Sequence, residues 1–377
     1  MVSPVPPLAT ELPDSLRPLV EGIRSGNRLA LARAISVVEN ERTGFQALLH
    51  TLLSPEGGRD QPPAARVGIT GPPGAGKSSL VTAMARAHME AGEEVGVVAV
   101  DPTSPYSGGA LLGDRIRMND LATDPRIFIR SMASRGSLGG LATTTTEVMD
   151  VMDAAGFPRL LVETVGVGQT ELEIAGTADT VVVVLVPESG DGIQAMKAGL
   201  MEIADIFVVN KSDRPGADRL VREIRTALHY RAGDARKIRV PAHHGVDLSG
   251  GTPQPSGPVP AKDGKDEKDE KDADASGTTP AWTPPVLQSI AHAGEGVVEL
   301  LAAIEDHRAW MLESGELERR RLARTATRIR DVMDRELKRR VRRLLANDEV
   351  AGSALGAIAS GANTPYSVAA RLLEEFS

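Results

Sequence analysis

Gly71-Pro-Pro-Gly-Ala-Gly-Lys-Ser78 is the most informative segment of this 377-residue chain. An apolar run over 65–70 precedes it, and a segment with helical spacing follows over 79–91. A strand, a glycine-rich loop and a helix in this order are the context that a phosphate-binding loop requires. The glycines let successive backbone N–H groups form a concave anion site, and the helix adds the positive end of its dipole. The alternative, a simple turn before a helix, does not account for the complete G-x4-G-K-S pattern.

Individual side chains in this loop have distinct chemical roles. Lys77 supplies a point charge toward the β- and γ-phosphates, and the Ser78 hydroxyl is suited to bind Mg²⁺. We therefore expect Lys77 to act in catalysis and Ser78 to be a metal ligand. The predicted nucleotide contacts in the loop are Gly71, Gly74, Ala75, Gly76, Lys77, Ser78 and Ser79.

Strand and helix patterns alternate downstream of the loop. Strands are predicted over 65–70, 95–100, 126–130, 159–164, 180–186 and 205–210, with a last strand over 285–291. The runs 181–186 and 206–209 are apolar without alternation, which is typical of parallel strands buried on both faces. The fold class is therefore α/β, a doubly wound and mostly parallel sheet of the P-loop type, with helical extensions at both ends.

We predict three regions: a helical N-terminal extension over 1–60, the P-loop domain over 61–314, and a helical C-terminal extension over 315–377. A charged, Pro- and Gly-rich insertion over about 233–284 has too few apolar residues to form a core, so we expect it to be disordered. The long helix predicted over 316–347 is amphipathic, with arginines expected on a solvated face. We expect it to pack against a second copy in a homodimer. Its predicted apolar face comprises Leu322, Ile329, Val332, Met333, Leu337, Val341 and Leu344.

Composition limits the classes of function. The chain has no cysteine, which excludes disulfides and thiolate metal sites and is consistent with a reducing, cytoplasmic setting. A net charge of −8 argues against nucleic acid as a partner, and no apolar run has the ~20 residues that span a membrane.

The base specificity follows from Asn210-Lys-Ser-Asp213, directly after a predicted strand. The Asp213 carboxylate can accept hydrogen bonds from guanine N1–H and the 2-amino group, donors that adenine lacks. We expect Asn210 to brace the loops and Lys211 to lie over the base. An ordinary turn is the alternative, since Asn, Ser and Asp all suit turns.

A third motif lies at the end of the strand predicted over 159–164. Glu163 stands three residues before Gly166, the spacing of a metal-site acid and a glycine whose N–H senses a γ-phosphate. Asp101, at the end of another strand, is a second candidate metal ligand, although it also suits a turn cap. No glutamine follows Gly166 directly, so Gln169 is the candidate that positions the attacking water. Arg115 and Arg117 are alternative charge stabilisers, for which a solvated helix face is the simpler role.

Several long motifs together resemble one family. GPPGAGKSS, VDPTSPYSGGALLGDRIRM, SRGSLGGLA, VETVGVGQTE, GDGIQAMKAGLMEIADIFVVNKSD and VLQSIAHAGEG are similar to the GTPase chaperones of methylmalonyl-CoA mutase, also labelled arginine/ornithine transport ATPases. The resemblance extends over about residues 25–345. It implies a dimeric GTPase with GTP and GDP as substrate and product, Mg²⁺ as cofactor, and an adenosylcobalamin-dependent acyl-CoA mutase as partner. Adenosylcobalamin would then enter only through that mutase.

The resemblance also assigns roles to residues. It implies that Glu163 is the metal-site acid, that residues 190–197 form a switch facing the mutase, and that the Ala291 N–H meets guanine O6. The last guanine loop departs from the family, because Ser289 is displaced by one position. Slow intrinsic hydrolysis that a partner accelerates is expected. Two alternatives remain: an ATPase or kinase of lysine, arginine and ornithine transport, and a metal-insertion GTPase, for which His243-His244 is the one histidine pair.

Overall fold

A computed structural model describes residues 11–54, 62–101, 121, 123–133, 141–164, 173–187, 199–237, 280–345, 358, 361 and 363–374. Seven strands and ten α-helices lie in these ranges. The strands are β1 (Ala65–Thr70), β2 (Val95–Asp101), β3 (Ile127–Ala133), β4 (Arg159–Thr164), β5 (Thr180–Leu185), β6 (Ile206–Asn210) and β7 (Val286–Ser289). The helices are α1 (Arg17–Arg24), α2 (Arg28–Glu39), α3 (Phe45–Leu53), α4 (Lys77–Glu90), α5 (Leu141–Ala154), α6 (Leu200–Ile203), α7 (Ala217–Lys237), α8 (Val297–Glu313), α9 (Glu316–Leu345) and α10 (Pro365–Glu374).

All seven strands form one parallel sheet in the order β3-β2-β4-β1-β5-β6-β7. The central strand β1 therefore lies between β4 and β5, and the loops after these strands leave from the same edge. In open parallel sheets, ligands bind at the carboxyl ends of the strands. The predicted α/β class is confirmed, and the predicted strand positions agree to within a few residues.

Two apolar cores lie on opposite faces of the sheet. Helices α4 and α8 pack on one face, where Ile69, Leu161 and Val182 point. Helices α1, α2, α3, α5 and α7 pack on the other, where Val162 and Val183 point. The apolar run in β5 is buried throughout, as expected for a strand covered on both faces. The N-terminal helices thus share a core with the sheet.

The helix α9 corrects one prediction. Six of its arginines do not lie on a solvated face but pair with acidic residues of the nucleotide domain and the N-terminal region. Arg320 binds Asp205, Arg321 and Arg324 bind Asp179, Arg328 binds Asp150, Arg335 binds Glu147, and Arg339 binds Glu41. The apolar side chains instead face solvent: Leu322, Ile329, Met333, Leu337 and Val341 are 38–63% exposed.

Two of the acids that pair with these arginines are buried and accept several hydrogen bonds. Asp179 and Asp205 immediately precede β5 and β6, and both are buried. Burial acts to raise the pKa of Asp179, but hydrogen bonds and charge from Arg321 and Arg324 outweigh it and lower the pKa to about 2. The pKa of Asp205 is likewise lowered, since hydrogen bonds from His307 and Arg320 outweigh its burial. The carboxylates therefore stay charged and hold α9 against the sheet.

Candidate functional site

The loop from Gly71 to Gly76 joins β1 to α4, and its glycines are required by shape. Gly71 has a φ of 138°, and a Cβ there would lie 2.1 Å from the Val184 carbonyl oxygen of β5. Gly76 has a φ of 88°, and its Cβ would lie 2.3 Å from Asn210 Nδ2. Any side chain at either position would displace backbone or a bracing amide, so the loop can pack closely only with glycine.

Lys77 is the first residue of α4 and is buried. Its Nζ donates to the carbonyl oxygens of Gly71 at 2.7 Å and of Pro72 at 3.0 Å. The ammonium therefore lies inside the curve of the loop, where a phosphate chain would be bound. Phosphate oxygens would be a second set of acceptors for the same group.

Ser78 at the start of α4 contacts Glu163 near the carboxyl end of β4. Ser78 Oγ donates to Glu163 Oε1 at 2.6 Å, and both residues are buried. Glu163 lies opposite Ile69 in the β1–β4 pairing, which places its side chain on the α4 face. The described residues include no cluster of three or more His, Cys, Asp or Glu that could hold a metal. One hydroxyl and one carboxylate fit Mg²⁺, which takes few protein ligands and completes its shell with phosphate and water oxygens.

Asn210 joins three loops at this edge. Its Nδ2 donates to the Ala75 carbonyl at 2.8 Å, and its Oδ1 accepts from Ser289 Oγ at 3.2 Å and from the Ala291 N–H at 3.1 Å. Lys211, with a φ of 57°, donates from Nζ to the Gly74 carbonyl at 2.8 Å. The phosphate loop and the loops after β6 and β7 are thus one hydrogen-bonded unit.

Asp213 lies in the turn after β6 with its side chain exposed. The Arg214 N–H donates to the Lys211 carbonyl at 3.0 Å, and the Ser212 N–H donates to the Ser289 carbonyl at 3.1 Å. These bonds fix the backbone on both sides of Asp213 and leave its carboxylate toward solvent. A carboxylate held in this way can receive a base without rearrangement of the loop.

Some predicted residues are not described. Asp101 ends β2, where its backbone pairs with Ala133, but its side chain is not described. Gln169, Arg115, Arg117, His243 and His244 lie outside the described residues, as do the switch over 190–197 and the charged tract over 262–274.

The structure adds residues that the sequence did not indicate. Thr164 Oγ1 donates to Thr70 Oγ1 at 3.2 Å, and these buried threonines end β4 and β1. The available signal was their position, since each directly adjoins a predicted site residue, Gly71 or Glu163. The Ser289 hydroxyl is another such group, because it donates to Asn210 and helps to hold that side chain between the loops.

A parallel sheet with the phosphate loop after its central strand, a serine–carboxylate pair beside it and a bracing asparagine defines a P-loop nucleotide-binding protein. The comparisons with known proteins make this specific. The family model of the methylmalonyl-CoA mutase-associated GTPase MeaB matches residues 31–346. The chain therefore belongs to the MeaB family and is a GTPase.

Individual relatives agree with this family. A Pyrococcus horikoshii protein, provisionally named as a GTPase, is 40% identical over 95% of this chain and 97% of its own length. The mouse mitochondrial methylmalonic aciduria type A homolog is 33% identical over 80% of this chain and 65% of its own length. A crystal structure of an LAO/AO transport system kinase superimposes with a TM-score of 0.59, at 27% identity and with 97% of this chain and 99% of that chain covered.

Among the described residues, no helix combines the length and apolar composition needed to cross a bilayer.

Proposed function

We propose that this GTPase is a chaperone of an adenosylcobalamin-dependent acyl-CoA mutase of the methylmalonyl-CoA mutase type. GTP hydrolysis would gate delivery of the cofactor and protect or reactivate the mutase. The observation that carries the proposal is the extent of the family match, residues 31–346, which includes α9 and most of the N-terminal helices as well as the nucleotide domain. The name of the mouse relative, which refers to methylmalonic aciduria, supports the same partner.

The site geometry supports a phosphoryl-transfer mechanism. Lys77 would release its loop carbonyls and bind the β- and γ-phosphates, and the loop amides would stabilise charge that develops on them. Ser78 and Glu163 would hold Mg²⁺, with Asp101 as a further ligand. The bound ion would supply neutralisation of phosphate charge. Gln169 remains the predicted residue that orients the attacking water.

The guanine contacts are part of the same proposal. The Asp213 carboxylate would accept from N1–H and the 2-amino group, with the Lys211 stem over the base. Guanine O6 would accept from the Ala291 N–H. The Ala291 nitrogen already lies 3.1 Å from Asn210 Oδ1, so the base and Asn210 would share its hydrogen.

The exposed face of α9 supports the homodimer. Five large apolar side chains, Leu322, Ile329, Met333, Leu337 and Val341, lie along one stripe and are 38–63% exposed. Six arginines of α9 hold its other face to the protein. Exposed apolar stripes of this kind mark interaction sites. We propose that a second copy covers the stripe. The proposed setting is the cytoplasm, with cobalamin bound by the mutase.

The deciding experiment mixes the purified protein with the adenosylcobalamin-dependent mutase of the same organism. We expect the two to co-elute in size-exclusion chromatography, and we expect GTP turnover to rise when the mutase is added. The chaperone function would be contradicted if the GTP turnover rate did not change on addition of the mutase and the two proteins did not co-elute in the presence of GDP or of a non-hydrolysable GTP analogue. Competition of ATP against GTP tests the alternative of a transport ATPase or kinase, which requires ATP to compete effectively.

A further inference from the structure

The two threonines at the ends of β1 and β4 form a buried polar pair. Thr164 Oγ1 lies 3.2 Å from Thr70 Oγ1, and the residues are 5% and 0% exposed. Neither was predicted as a site residue. Their neighbours on this face of the sheet are apolar, including Val162 and Val183.

This pair lies where β1 and β4 part from each other. The β1–β4 pairing ends at Ile69 and Glu163. One residue further, Thr70 pairs with Val183 of β5, and Thr164 pairs with Val100 of β2. The hydroxyl bond therefore bridges the two strands just beyond their last paired position.

The bridge adjoins both halves of the metal and phosphate site. Gly71, the first loop residue, follows Thr70, and Glu163 precedes Thr164. Because side chains alternate along a strand, Glu163 points toward Ser78 on α4 while Thr164 points to the opposite face. The threonines thus act on the site through the backbone to which the loop and the acid are attached.

The separation of 3.2 Å is specific to a hydroxyl pair. Methyl carbons of a Val–Val pair would pack at about 3.5–4.0 Å. Catalytic groups must be held within about 0.5 Å of their working positions. A change of this size between the strand ends is therefore large enough to matter.

We infer that Thr70 and Thr164 are positioning residues that set the separation of the phosphate loop from Glu163, and with it the geometry in which Mg²⁺-bound phosphate is held. This inference rests on the proposed nucleotide and metal roles of that site.

The test compares Thr164→Val, Thr164→Ser and the double variant Thr70→Val/Thr164→Val with the wild type. GTP turnover is measured as a function of Mg²⁺ concentration, GDP affinity is measured in EDTA, and stability is measured by urea unfolding. For Thr164→Val we expect kcat to fall about tenfold and the Mg²⁺ concentration for half-maximal turnover to rise about tenfold, with GDP affinity in EDTA within about twofold of wild type. Thr164→Ser, which keeps the hydroxyl, should behave like the wild type.

The double variant separates positioning from stability. We expect it to fold, because valine is β-branched like threonine and fills the same space at both positions, while its Mg²⁺ response stays impaired. A double variant with a wild-type Mg²⁺ response would overturn the inference. So would a Thr164→Val variant that loses stability and GDP affinity in EDTA without any change in Mg²⁺ response. A wild-type protein with no GTP turnover would instead refute the proposed function, and the inference with it.

Discussion

Arg335 of α9 and Glu147 of α5 form a buried ion pair, each residue 1% exposed, with Arg335 Nη1 2.9 Å from Glu147 Oε2. Nη2 of the same guanidinium donates to the other carboxylate oxygen. The guanidinium also lies 5.2 Å from the centre of the Phe45 ring in α3. One side chain of the C-terminal helix thus contacts both α5 and the N-terminal helices, so the terminal extensions are fixed to the nucleotide domain.

Removal of one partner of this pair should strongly destabilise the protein. Arg335→Met keeps an unbranched side chain but leaves the Glu147 carboxylate buried without its counter-charge, and such changes cost about 3–5 kcal/mol. We expect a clearly lower urea midpoint. Adding Glu147→Leu to Arg335→Met should recover much of the loss, because no uncompensated charge then remains.

The matched control is Arg319→Met on the same helix. Arg319 pairs with Glu316 at 2.6 Å, but its side chain is 72% exposed. Exposed pairs contribute at most about 1 kcal/mol, so the midpoint should hardly move. Equal midpoints for Arg335→Met and Arg319→Met would show that the buried pair does not hold α9.

The orientation of α9 shows what the sequence could not supply. Alternating arginine and apolar positions predict an amphipathic helix, and burial of its apolar face is the ordinary expectation. The acids that reverse this orientation, such as Glu147 and Asp179, are more than a hundred residues away in the chain. A weak signal exists in retrospect: Ala178-Asp179 and Ala204-Asp205 each place an acid directly before an apolar strand.

The positions of the predicted site residues in the fold were more predictable, because their motifs are local. Gly71–Ser78 follows a recognisable strand, and Glu163 and Asn210 lie at the ends of two others. A parallel sheet brings such strand ends to one edge. The sequence did not indicate side-chain contacts between neighbouring strands, such as that of Thr70 with Thr164. Their partners follow from the strand order, which the alternation of elements does not specify.

The metal role of Ser78 and Glu163 can be tested through Mg²⁺. Ser78→Ala removes a hydroxyl that lies 2.6 Å from Glu163 Oε1. We expect at least a roughly tenfold higher Mg²⁺ requirement for GTP turnover, and a comparable effect from Glu163→Gln. Thr82→Ala is the control, since the Thr82 hydroxyl donates to the backbone carbonyl of Ser78, one turn along α4. An unchanged Mg²⁺ response in Ser78→Ala would refute the assignment.

Base specificity should depend on Asp213. Asp213→Asn replaces one acceptor oxygen by an amide N–H donor. This donor cannot hydrogen-bond the guanine 2-amino group, which is also a donor, but it can donate to the carbonyl that xanthine carries at that position. Loss of two charged hydrogen bonds should weaken GDP binding about 100-fold, while xanthosine diphosphate should bind better than to wild type. Asp218→Asn, an exposed acid nearby that accepts from Gln288, should leave GDP affinity unchanged. Isothermal calorimetry distinguishes these results, and an unaltered GDP affinity in Asp213→Asn would disprove the role.

The stripe on α9 predicts the oligomeric state. A charge within a buried apolar interface is costly, so Ile329→Glu or Met333→Glu should convert the dimer to a monomer. Light scattering after size-exclusion chromatography measures the mass directly. Val298→Glu on α8 is the control, because Val298 is exposed to 73% and lies outside the stripe. A wild-type protein that is monomeric at micromolar concentration would contradict the proposed dimer.

Acid should loosen the attachment of α9 through Asp179. The pKa of Asp179 is about 2 in the folded protein, against an ordinary value of 3.8, because Arg321 and Arg324 favour its charged form despite burial. Because the pKa is lower in the folded state, the carboxylate contributes its full stabilisation at pH values above the unfolded-state pKa. This contribution is lost as the pH falls from about 4 to 2. The difference corresponds to about 2 kcal/mol at neutral pH. Asp179→Asn lacks this titration. Its deficit in unfolding free energy relative to wild type should therefore be largest at about pH 5 and should shrink steadily toward about pH 2.5 in urea titrations. A deficit that is constant over this range would mean that the carboxylate is not the group through which acid acts on α9.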